Sequence, residues 1–544
     1  MQARRPSEDF RQQMIALQRE VYLRNQKRIN EGVYGYTSAY RRYEREYHAS
    51  VARYQATSTF DELLAAVAGA EIIYVGDYHT LAQAQRTVVR ILRRLPLDLQ
   101  PTLALELVQG RHQAVLDAFL AGRIGEQTFL ERIEHDPSGV FGAWAHFKPI
   151  FDFAGDHRLP MIGIDLIHEH SSTSLQKRDV YAARQIAAAI ADRPDKPIIV
   201  HIGELHVAPG HLPKMVDKEL KRRGLGPKKT VIVYQNCEAL YWKLEAQGLE
   251  HTVDVLRVRA GEYCVIATPP IVAQQSYLNW LDNDDDFMDE GAPEKIFKEF
   301  VEIIARALAI RVGDALDNVV VSSVIDVQFL DTLRRRGKFS GKELEEIRRQ
   351  ILRSESYFIP KANMVFLGHL SINHAAEEAS HFLRHICGGD EEPRYLVDAF
   401  YCRVLNEAIG FLGSKLINHK RKCPHAPDFE RMLREHKKGN DKRSPLDLAV
   451  ADAVVKHRRM EHGLGTRGLK EIYMADADTF NAVTHALGYM LGDKLYYAML
   501  EGTVSKDDAR ELFYDKFEED GAALTTYLAL TTRVEKVKLP SRSM

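Results

Sequence analysis

The sequence predicts an α/β fold of Rossmann-like layering with a mainly parallel sheet, an N-terminal helical arm and an all-helical C-terminal domain. Between residues 58 and 281, short apolar runs alternate with helix-like segments, which is typical of a parallel sheet with helices on both faces. From residue 294 onwards the apolar spacing is that of amphipathic helices, with few strand signals. We therefore predict an arm over 1–57, an α/β domain over 58–281 and an all-helical domain over 294–544.

The arm is strongly charged and rich in tyrosine. Four tyrosines recur at steps of three and four residues, which places them on one face of a helix: Tyr36, Tyr40, Tyr43 and Tyr47. We interpret this stripe as the surface that packs the arm onto a domain.

Seven apolar runs follow the arm and predict the strands. Five are expected to form the parallel core of the sheet: Ile72–Val75, Thr102–Leu105, Met161–Ile164, Ile198–Ile202 and Val231–Tyr234. Two more, Val253–Arg257 and Tyr263–Ala267, are expected at its edge. The acidic segment Asp282–Pro293 alternates aspartates like a calcium loop, but Phe287 stands where such a loop needs glycine, so we interpret it as a solvated linker.

Composition restricts the classes of partner. The chain has 544 residues, a formal charge of −2 and a hydrophobic share of 45%, so charge gives no reason to expect a nucleic-acid partner. Its five cysteines are scattered, which favours a reducing compartment over a disulfide framework. There is no run of about 18 apolar residues and no signal-like amino terminus. We predict a cytoplasmic protein without a membrane span.

Polar side chains follow four of the predicted strands. They are Asp77 and His79 after the first strand, Glu106 after the second, Asp165 after the third, and Glu204 and His206 after the fourth. The carboxyl ends of parallel strands lie along one edge of a sheet, so we expect these residues to converge. The fourth strand also repeats the pattern of the first, an apolar run followed by Gly-x-x-His.

Two histidines and a carboxylate form a ligand set for zinc or a divalent transition metal. We therefore predict His79, Glu106 and His206 as metal ligands. A metal held in this way lowers the pKa of bound water from about 15.7 towards about 7. Asp77 or Glu204 is then the candidate general base, or the group that orients a ligating imidazole.

Further polar residues border the predicted site. Asp165 and His201 are candidates for contact with a cofactor, although His201, within a strand, fits equally well as a satisfied core residue. His168 and His170 follow Asp165 and rank below the main set.

The order of these motifs resembles the ChaN-like domain of the haem-binding uptake and TIKI superfamily over roughly residues 60 to 275. The resemblance is carried by Gly76-x-x-His79, Glu106, the segment WAHFKPIFDFA from Trp144, Arg178-Asp179 and Gly203-x-x-His206. ChaN-type members are associated with haem binding in bacterial iron uptake. TIKI-type and erythromycin-esterase-type relatives are metal-dependent hydrolases that use the two Gly-x-x-His motifs and a glutamate.

The resemblance implies that His79, Glu106 and His206 bind haem iron or a divalent metal ion, and that the protein handles iron or haem. The alternative is a metal-dependent hydrolase acting on a peptide, ester or amide bond of a peptide or small-molecule substrate. A third reading is a non-catalytic scaffold whose helical domain binds a protein partner or forms a homodimer.

Two segments of the helical domain carry further signals. The sequence INHAAEEASHFLRHI contains Glu378-x-x-His381, as in di-iron bundles, but no second Glu-x-x-His accompanies it, so we interpret it as a polar helix face. The basic stretch Lys420–Pro445, broken by proline and glycine, predicts an exposed loop. Interleaved acidic residues argue against a nucleic-acid patch there.

Overall fold

The structure is a computed structural model and describes residues 6–32, 38–166, 175–281, 292–323, 329–336, 339–352, 356–368, 371–389, 394–438 and 443–540. Outside these ranges lie Tyr36 of the predicted tyrosine stripe, His168, His170 and residues 282–291 of the predicted linker. The chain divides into two compact units, one formed by residues 22–288 and the other by residues 1–21 with 289–542.

The first unit contains an eight-stranded sheet, which confirms the predicted α/β fold. Its strands are β1 (Ala56–Ser58), β2 (Ile72–Asp77), β3 (Thr102–Gln109), β4 (Met161–Asp165), β5 (Ile198–Gly203), β6 (Thr230–Gln235), β7 (Val255–Arg259) and β8 (Glu262–Val265). The strand order is β1-β7-β8-β6-β2-β5-β3-β4. The strands from β8 to β4 pair in parallel, whereas β7 pairs antiparallel with both of its neighbours, β8 and β1. Strand β1 was not predicted, since Ala-Thr-Ser carries no apolar signal.

Helices cover both faces of this sheet. Helix α1 (Pro6–Gly32) belongs to the second unit up to Val21 and to the first unit from Tyr22. The other helices up to the end of the first unit are α2 (Ser38–Ser50), α3 (Phe60–Ala68), α4 (Ala82–Arg94), α5 (Gln113–Leu120), α6 (Glu126–Arg132), α7 (Trp144–His157), α8 (Leu175–Asp192), α9 (Leu212–Arg222), α10 (Glu238–Ala246) and α11 (Pro270–Leu281). Alternate residues of β2 serve two cores: Ile72 and Tyr74 pack with α8 and α9, and Ile73 and Val75 with α4 and α7. This burial on both faces explains why the strand is apolar throughout.

The second unit is mainly helical. Its elements after α1 are α12 (Ala292–Leu308), β9 (Val320–Ser323), α13 (Phe329–Arg336), α14 (Gly341–Leu352), β10 (Tyr357–Ile359), β11 (Met364–Leu367), α15 (Ile372–Gly388), α16 (Leu396–Ile417), α17 (Ala426–Lys437), α18 (Pro445–Glu461), α19 (Leu469–Tyr473), α20 (Ala477–Glu501), α21 (Lys506–Tyr514) and α22 (Ala522–Arg533). The expectation of an entirely helical region missed the small sheet β10-β11-β9. Its apolar runs are too short for periodicity to separate strand from helix.

Helices α16 and α20 approach each other closely through glycine. A Cβ at Gly488 of α20 would lie 2.6 Å from the carbonyl oxygen of Val404, and one at Gly492 would lie 2.4 Å from that of Ala408. Glycine removes the side chain that would otherwise hold the backbones apart. The residue that follows Gly492, Asp493, is consequently placed in the interior of the unit.

The prediction of an exposed loop over Lys420–Pro445 is wrong for most of that stretch. Residues Ala426–Lys437 form α17, and the preceding Lys420, Cys423 and His425 are buried. The basic composition suggested solvent exposure, but buried carboxylates balance part of this charge.

None of the helices described by the structure combines the length and apolarity that a membrane span requires.

Candidate functional site

Four neighbouring strands bring the predicted site residues to one edge of the sheet. The strands lie in the order β2-β5-β3-β4. Asp77 ends β2 and Asp165 ends β4, while a short 3₁₀ turn, Glu204–Val207, follows β5 and carries His206. The convergence expected from the strand ends is therefore present.

Glu106 reaches this edge from within β3. The prediction ended this strand at Leu105, but it continues to Gln109, and its pairing with β4 shifts register between these two residues. Gly163 of β4 accommodates the irregularity, since a Cβ there would lie 2.7 Å from the carbonyl oxygen of Val108. The bulge and the facing glycine together place Glu106 near the histidines.

His79 is held by a carboxylate on one ring nitrogen and faces Glu106 with the other. Its Nδ1 lies 2.8 Å from Asp77 Oδ2, and its Nε2 lies 3.8 Å from Glu106 Oε2. Burial lowers the pKa of His79, but the hydrogen bond and charge of Asp77 outweigh this and raise it above its usual value. Gln85 Nε2 donates to the other Asp77 oxygen at 2.5 Å, so this carboxylate is anchored on both sides.

His206 repeats the arrangement with a different carboxylate. Its Nδ1 lies 2.7 Å from Asp179 Oδ1 on α8, and its Nε2 lies 3.8 Å from Glu106 Oε1. The hydroxyl of Tyr43 donates to the second oxygen of Asp179. Both histidines thus present Nε2 to opposite oxygens of one carboxylate.

Glu106 is fixed by two donors. The backbone N–H of Gly203 donates to its Oε2 at 2.5 Å, and Arg178 Nη2 donates to its Oε1. Arg178 Nε also donates to Asp165 Oδ1 at 2.9 Å. Burial lowers the pKa of Arg178, but Glu106 and Asp165 outweigh this and raise it. Asp165, predicted to contact a cofactor, therefore positions Arg178.

His201 lies beside Asp77 within β5. It is buried, and its Nε2 is 3.3 Å from Asp77 Oδ1. Burial opposes ionisation of Asp77, but the charge and hydrogen bond of His201, together with those of His79, hold the pKa of Asp77 below its usual range. His201 thus supports the carboxylate that orients His79, and contact with a cofactor stays a prediction.

Helix α2 contributes two tyrosines to the site. Tyr43 stacks on His211, with ring centroids 3.5 Å apart, and its hydroxyl reaches Asp179. The hydroxyl of Tyr47 donates to Glu204 Oε2 at 3.0 Å. These contacts agree with the predicted packing of the tyrosine stripe and add hydrogen bonds that the stripe did not predict.

Glu204, one of the two candidate bases, has a strongly shifted pKa. Burial raises it to about 7, against the opposing hydrogen bond from Tyr47. A carboxyl group with this pKa changes its protonation state near neutral pH, as a general base requires. Asp77, the other candidate base, is engaged with His79 and Gln85.

Gly203 keeps the space between His79 and Glu106 open. A Cβ on Gly203 would lie 3.1 Å from His79 Nε2 and 3.3 Å from Glu106 Oε2. A side chain at this position would therefore occupy the point towards which these two donor atoms face.

Several partners of the predicted ligands were not assigned from the sequence. The sequence patterns single out Arg178 and Asp179 only as an adjacent pair and predict no role at the site for Gln85 or Tyr43. The available signal was the position of Arg178-Asp179 at a helix start beside the sheet edge. The tertiary structure decides which histidine nitrogen each carboxylate binds, so the sequence alone does not reveal it.

The fold and the site define an α/β protein with a histidine–carboxylate centre at the carboxyl edge of a parallel sheet. Residues 63–177 match the family described as haem-binding uptake, Tiki superfamily, ChaN, and the predicted resemblance is confirmed. Among solved structures, the chain is similar to "Cofacial heme binding to ChaN of Campylobacter jejuni", with 15% identity, a TM-score of 0.26, and coverage of 33% of this chain and 87% of that chain. No curated protein matches the sequence.

Proposed function

We propose that the sheet edge binds iron, as haem or as a divalent ion, through His79, His206 and Glu106. The observation that supports this most directly is the shared orientation of the two imidazoles. Each binds a carboxylate through Nδ1 and turns Nε2 towards Glu106 at 3.8 Å. Ligating histidines in metalloproteins are commonly held by such carboxylates, which fix the tautomer and the ring orientation.

The donor set fits a metal. An ionised carboxylate offers about four lone-pair positions, and Glu106 uses one on each oxygen for Arg178 and Gly203. One position on each oxygen therefore remains for a metal ligand bond. Imidazole nitrogen with carboxylate oxygen suits iron, zinc and manganese, and Gly203 leaves room beside two of the donors.

The two histidines differ in accessibility, which bears on haem. The side chain of His79 is 20% exposed and lies against Phe141, with ring centroids 4.2 Å apart, whereas that of His206 is 3% exposed. His79 is therefore the side chain that would hold haem iron, with Phe141 as an aromatic contact. The family description of the matched region also favours haem.

The sharpest test is Gly203→Ala, because it fills the ligand position without removing a ligand. Gly203 has a φ of −45°, so alanine is compatible with the backbone. We expect iron or haem affinity to fall about 10- to 100-fold, the loss typical when ligand geometry is disturbed. Gly226→Ala is the matched control, since a Cβ there meets nothing within 4 Å.

Iron and haem content should be measured together on the purified full chain, by elemental analysis and by the Soret band after haem addition. His79→Ala should abolish the binding of either ligand, and His206→Ala should abolish the binding of a divalent ion. Binding that survives both variants would contradict the proposal. Haem affinity lost only in His79→Ala would assign haem to that side chain.

A metal-dependent hydrolase is the second candidate, favoured by Glu204 with its pKa near 7. A divalent ion bound here would act as a Lewis acid and activate water. Glu204, held by Tyr47, would accept the proton at neutral pH. Hydrolysis of chromogenic ester and peptide substrates should rise through about pH 7 and be lost in Glu204→Gln, with metal content unchanged. If neither the ester nor the peptide substrates are hydrolysed in a metal-dependent way, this candidate is contradicted.

A further inference from the structure

The helical unit contains a second cluster of metal-ligating side chains. Cys423 and His425 lie on the segment between α16 and α17, and Asp493 lies on α20. The residues are 2%, 9% and 0% exposed, respectively. This cluster belongs to the stretch whose predicted exposure the structure overturns, and it contains none of the sheet-edge residues.

Three donor atoms of the cluster converge. Cys423 Sγ lies 3.6 Å from His425 Nε2 and 3.9 Å from Asp493 Oδ2, and the latter two atoms are 2.8 Å apart. Among the described residues, this is the one set of three such side chains whose ligand atoms all lie within 4.8 Å of one another.

The triangle has nearly the dimensions of one face of a tetrahedral zinc site. Zinc–sulfur bonds of about 2.3 Å and zinc–nitrogen or zinc–oxygen bonds of about 2.0 to 2.2 Å imply donor separations of about 3.3 to 3.6 Å. The two sides that involve sulfur are close to this range. The third side would open by about 0.6 Å as the hydrogen bond between His425 and Asp493 is replaced by bonds to the ion.

Lys415 supports one oxygen of Asp493 and leaves the other facing the cluster. Its Nζ lies 3.1 Å from Asp493 Oδ1 and donates to the carbonyl oxygen of Arg421 at 3.0 Å. An outer contact of this kind orients a ligating carboxylate and favours coordination through a single oxygen. The Cys423 thiolate and the Asp493 carboxylate supply two negative charges to a divalent ion, and the Lys415 ammonium leaves the occupied site with a net charge of +1.

We propose that Cys423 Sγ, His425 Nε2 and Asp493 Oδ2 bind a zinc-class divalent ion that ties the α16–α17 segment to α20. Binding requires the thiolate, so the thiol proton is released to solvent. Sulfur, nitrogen and oxygen donors together select zinc over magnesium or calcium. The proposal does not depend on the function of the sheet edge.

Cobalt(II) substitution in the reduced full-length protein tests the site. The proposed sheet-edge ligands offer nitrogen and oxygen only, so a thiolate-to-cobalt charge-transfer band in the near ultraviolet reports on a cysteine site, and Cys423→Ser distinguishes Cys423 from Cys237 and Cys264. We expect this band to saturate at one cobalt ion per chain, and we expect added zinc to displace the cobalt and remove the band. Cys423→Ser should abolish it and His425→Ala should weaken cobalt binding more than about 100-fold, whereas Cys387→Ser, on α15, should leave it unchanged.

Two results would overturn the proposal. One is the absence of the charge-transfer band in the wild-type protein together with no zinc-dependent rise in its thermal midpoint. The other is a band that persists in Cys423→Ser. In either case the side chains form a metal-free network in which His425 donates to Asp493 and Asp493 pairs with Lys415. The wild-type titration decides the outcome even if a variant fails to fold.

Discussion

The sheet-edge site and the cysteine cluster of the helical unit both bring histidine and carboxylate side chains together, but they arrange these side chains differently. At the sheet edge, each histidine has its own carboxylate on Nδ1 and keeps Nε2 3.8 Å from Glu106. In the cluster, the thiol and the carboxylate both approach Nε2 of His425. The sheet-edge donors are oriented by outer contacts but spread apart, whereas the cluster donors are already close.

This difference bears on what each centre can hold. Within the described residues, the sheet-edge donors do not form a set with all ligand atoms inside 4.8 Å, so a bare ion would have to draw them together. A larger group that contacts one histidine at a time, such as haem, needs no such closure. The cluster suits a single small ion and is too buried for a large ligand.

The largest expected effect is on stability, and it differs between the cysteine cluster and the sheet-edge site. Asp493→Ala should lower the free energy of unfolding of the helical unit by about 3–5 kcal/mol, because it leaves the Lys415 ammonium buried without this carboxylate. Glu106→Ala should cost the α/β unit less, since Arg178 keeps Asp165.

Spectroscopy can follow each unit in one urea titration. The three tryptophans, Trp144, Trp242 and Trp280, all lie in the α/β unit, so their fluorescence reports on that unit, while circular dichroism reports on the helices of both units together. A midpoint in Asp493→Ala that matches wild type in both signals would contradict the prediction.

The next effect tests the outer contacts of the sheet-edge site. Asp179→Asn should weaken iron or haem binding about 10- to 100-fold, because an amide no longer fixes the tautomer of His206. Isothermal titration gives the affinity, and Asp117→Asn on α5, exposed and distant in sequence, is a suitable control. Unchanged affinity would show that His206 needs no carboxylate partner.

A smaller effect concerns pH. The Glu204 carboxyl binds its proton more tightly in the folded protein, where its pKa is about 7, than in the unfolded chain, where it is near 4.5. Folding stability is therefore lost as pH rises between these values. Glu204→Gln should gain about 1–2 kcal/mol relative to wild type between pH 5 and pH 8, after allowance for partial exposure. The measurement is tryptophan-detected unfolding of both proteins at both pH values. The same stability difference between Glu204→Gln and wild type at pH 5 and at pH 8 would refute this prediction.

The smallest effect concerns helix α2. Tyr43→Phe removes the hydroxyl that binds Asp179 but keeps the ring stacked on His211. We expect about a fivefold loss of metal affinity, equivalent to about 1 kcal/mol, with little change in thermal midpoint. The affinity loss should vanish in the Asp179→Asn background, because the two residues act in one chain of contacts. Additive losses would show that Tyr43 acts through some other contact.

The convergence of His79, Glu106 and His206 could be predicted from sequence because parallel strands place their carboxyl ends at one edge and the Gly-x-x-His pattern recurs. The extension of β3 through Glu106 could not, because it depends on a bulge accommodated by Gly163 on the neighbouring strand β4, which is distant in sequence. The tyrosine stripe predicted packing of the arm but not that Tyr43 would meet Asp179, which depends on how the arm folds back.

For Cys423 and His425, the sequence led to an incorrect prediction of solvent exposure. A basic, proline-containing stretch predicts exposure, and local composition contains no sign of the buried Asp493 that lies many turns later on α20. Burial of polar groups is decided by partners distant in sequence, so periodicity and composition cannot reveal it.

The position of Tyr43 also affects how this protein can be divided for study. The family match covers residues 63–177 and therefore includes His79 and Glu106 but neither Tyr43, Asp179 nor His206. A fragment trimmed to the matched residues would retain part of the proposed ligand set without the groups that orient it. Loss of binding in such a fragment would say nothing about the intact chain, and the site behaves as a composite of the arm, the family-matched segment and the strands that follow it.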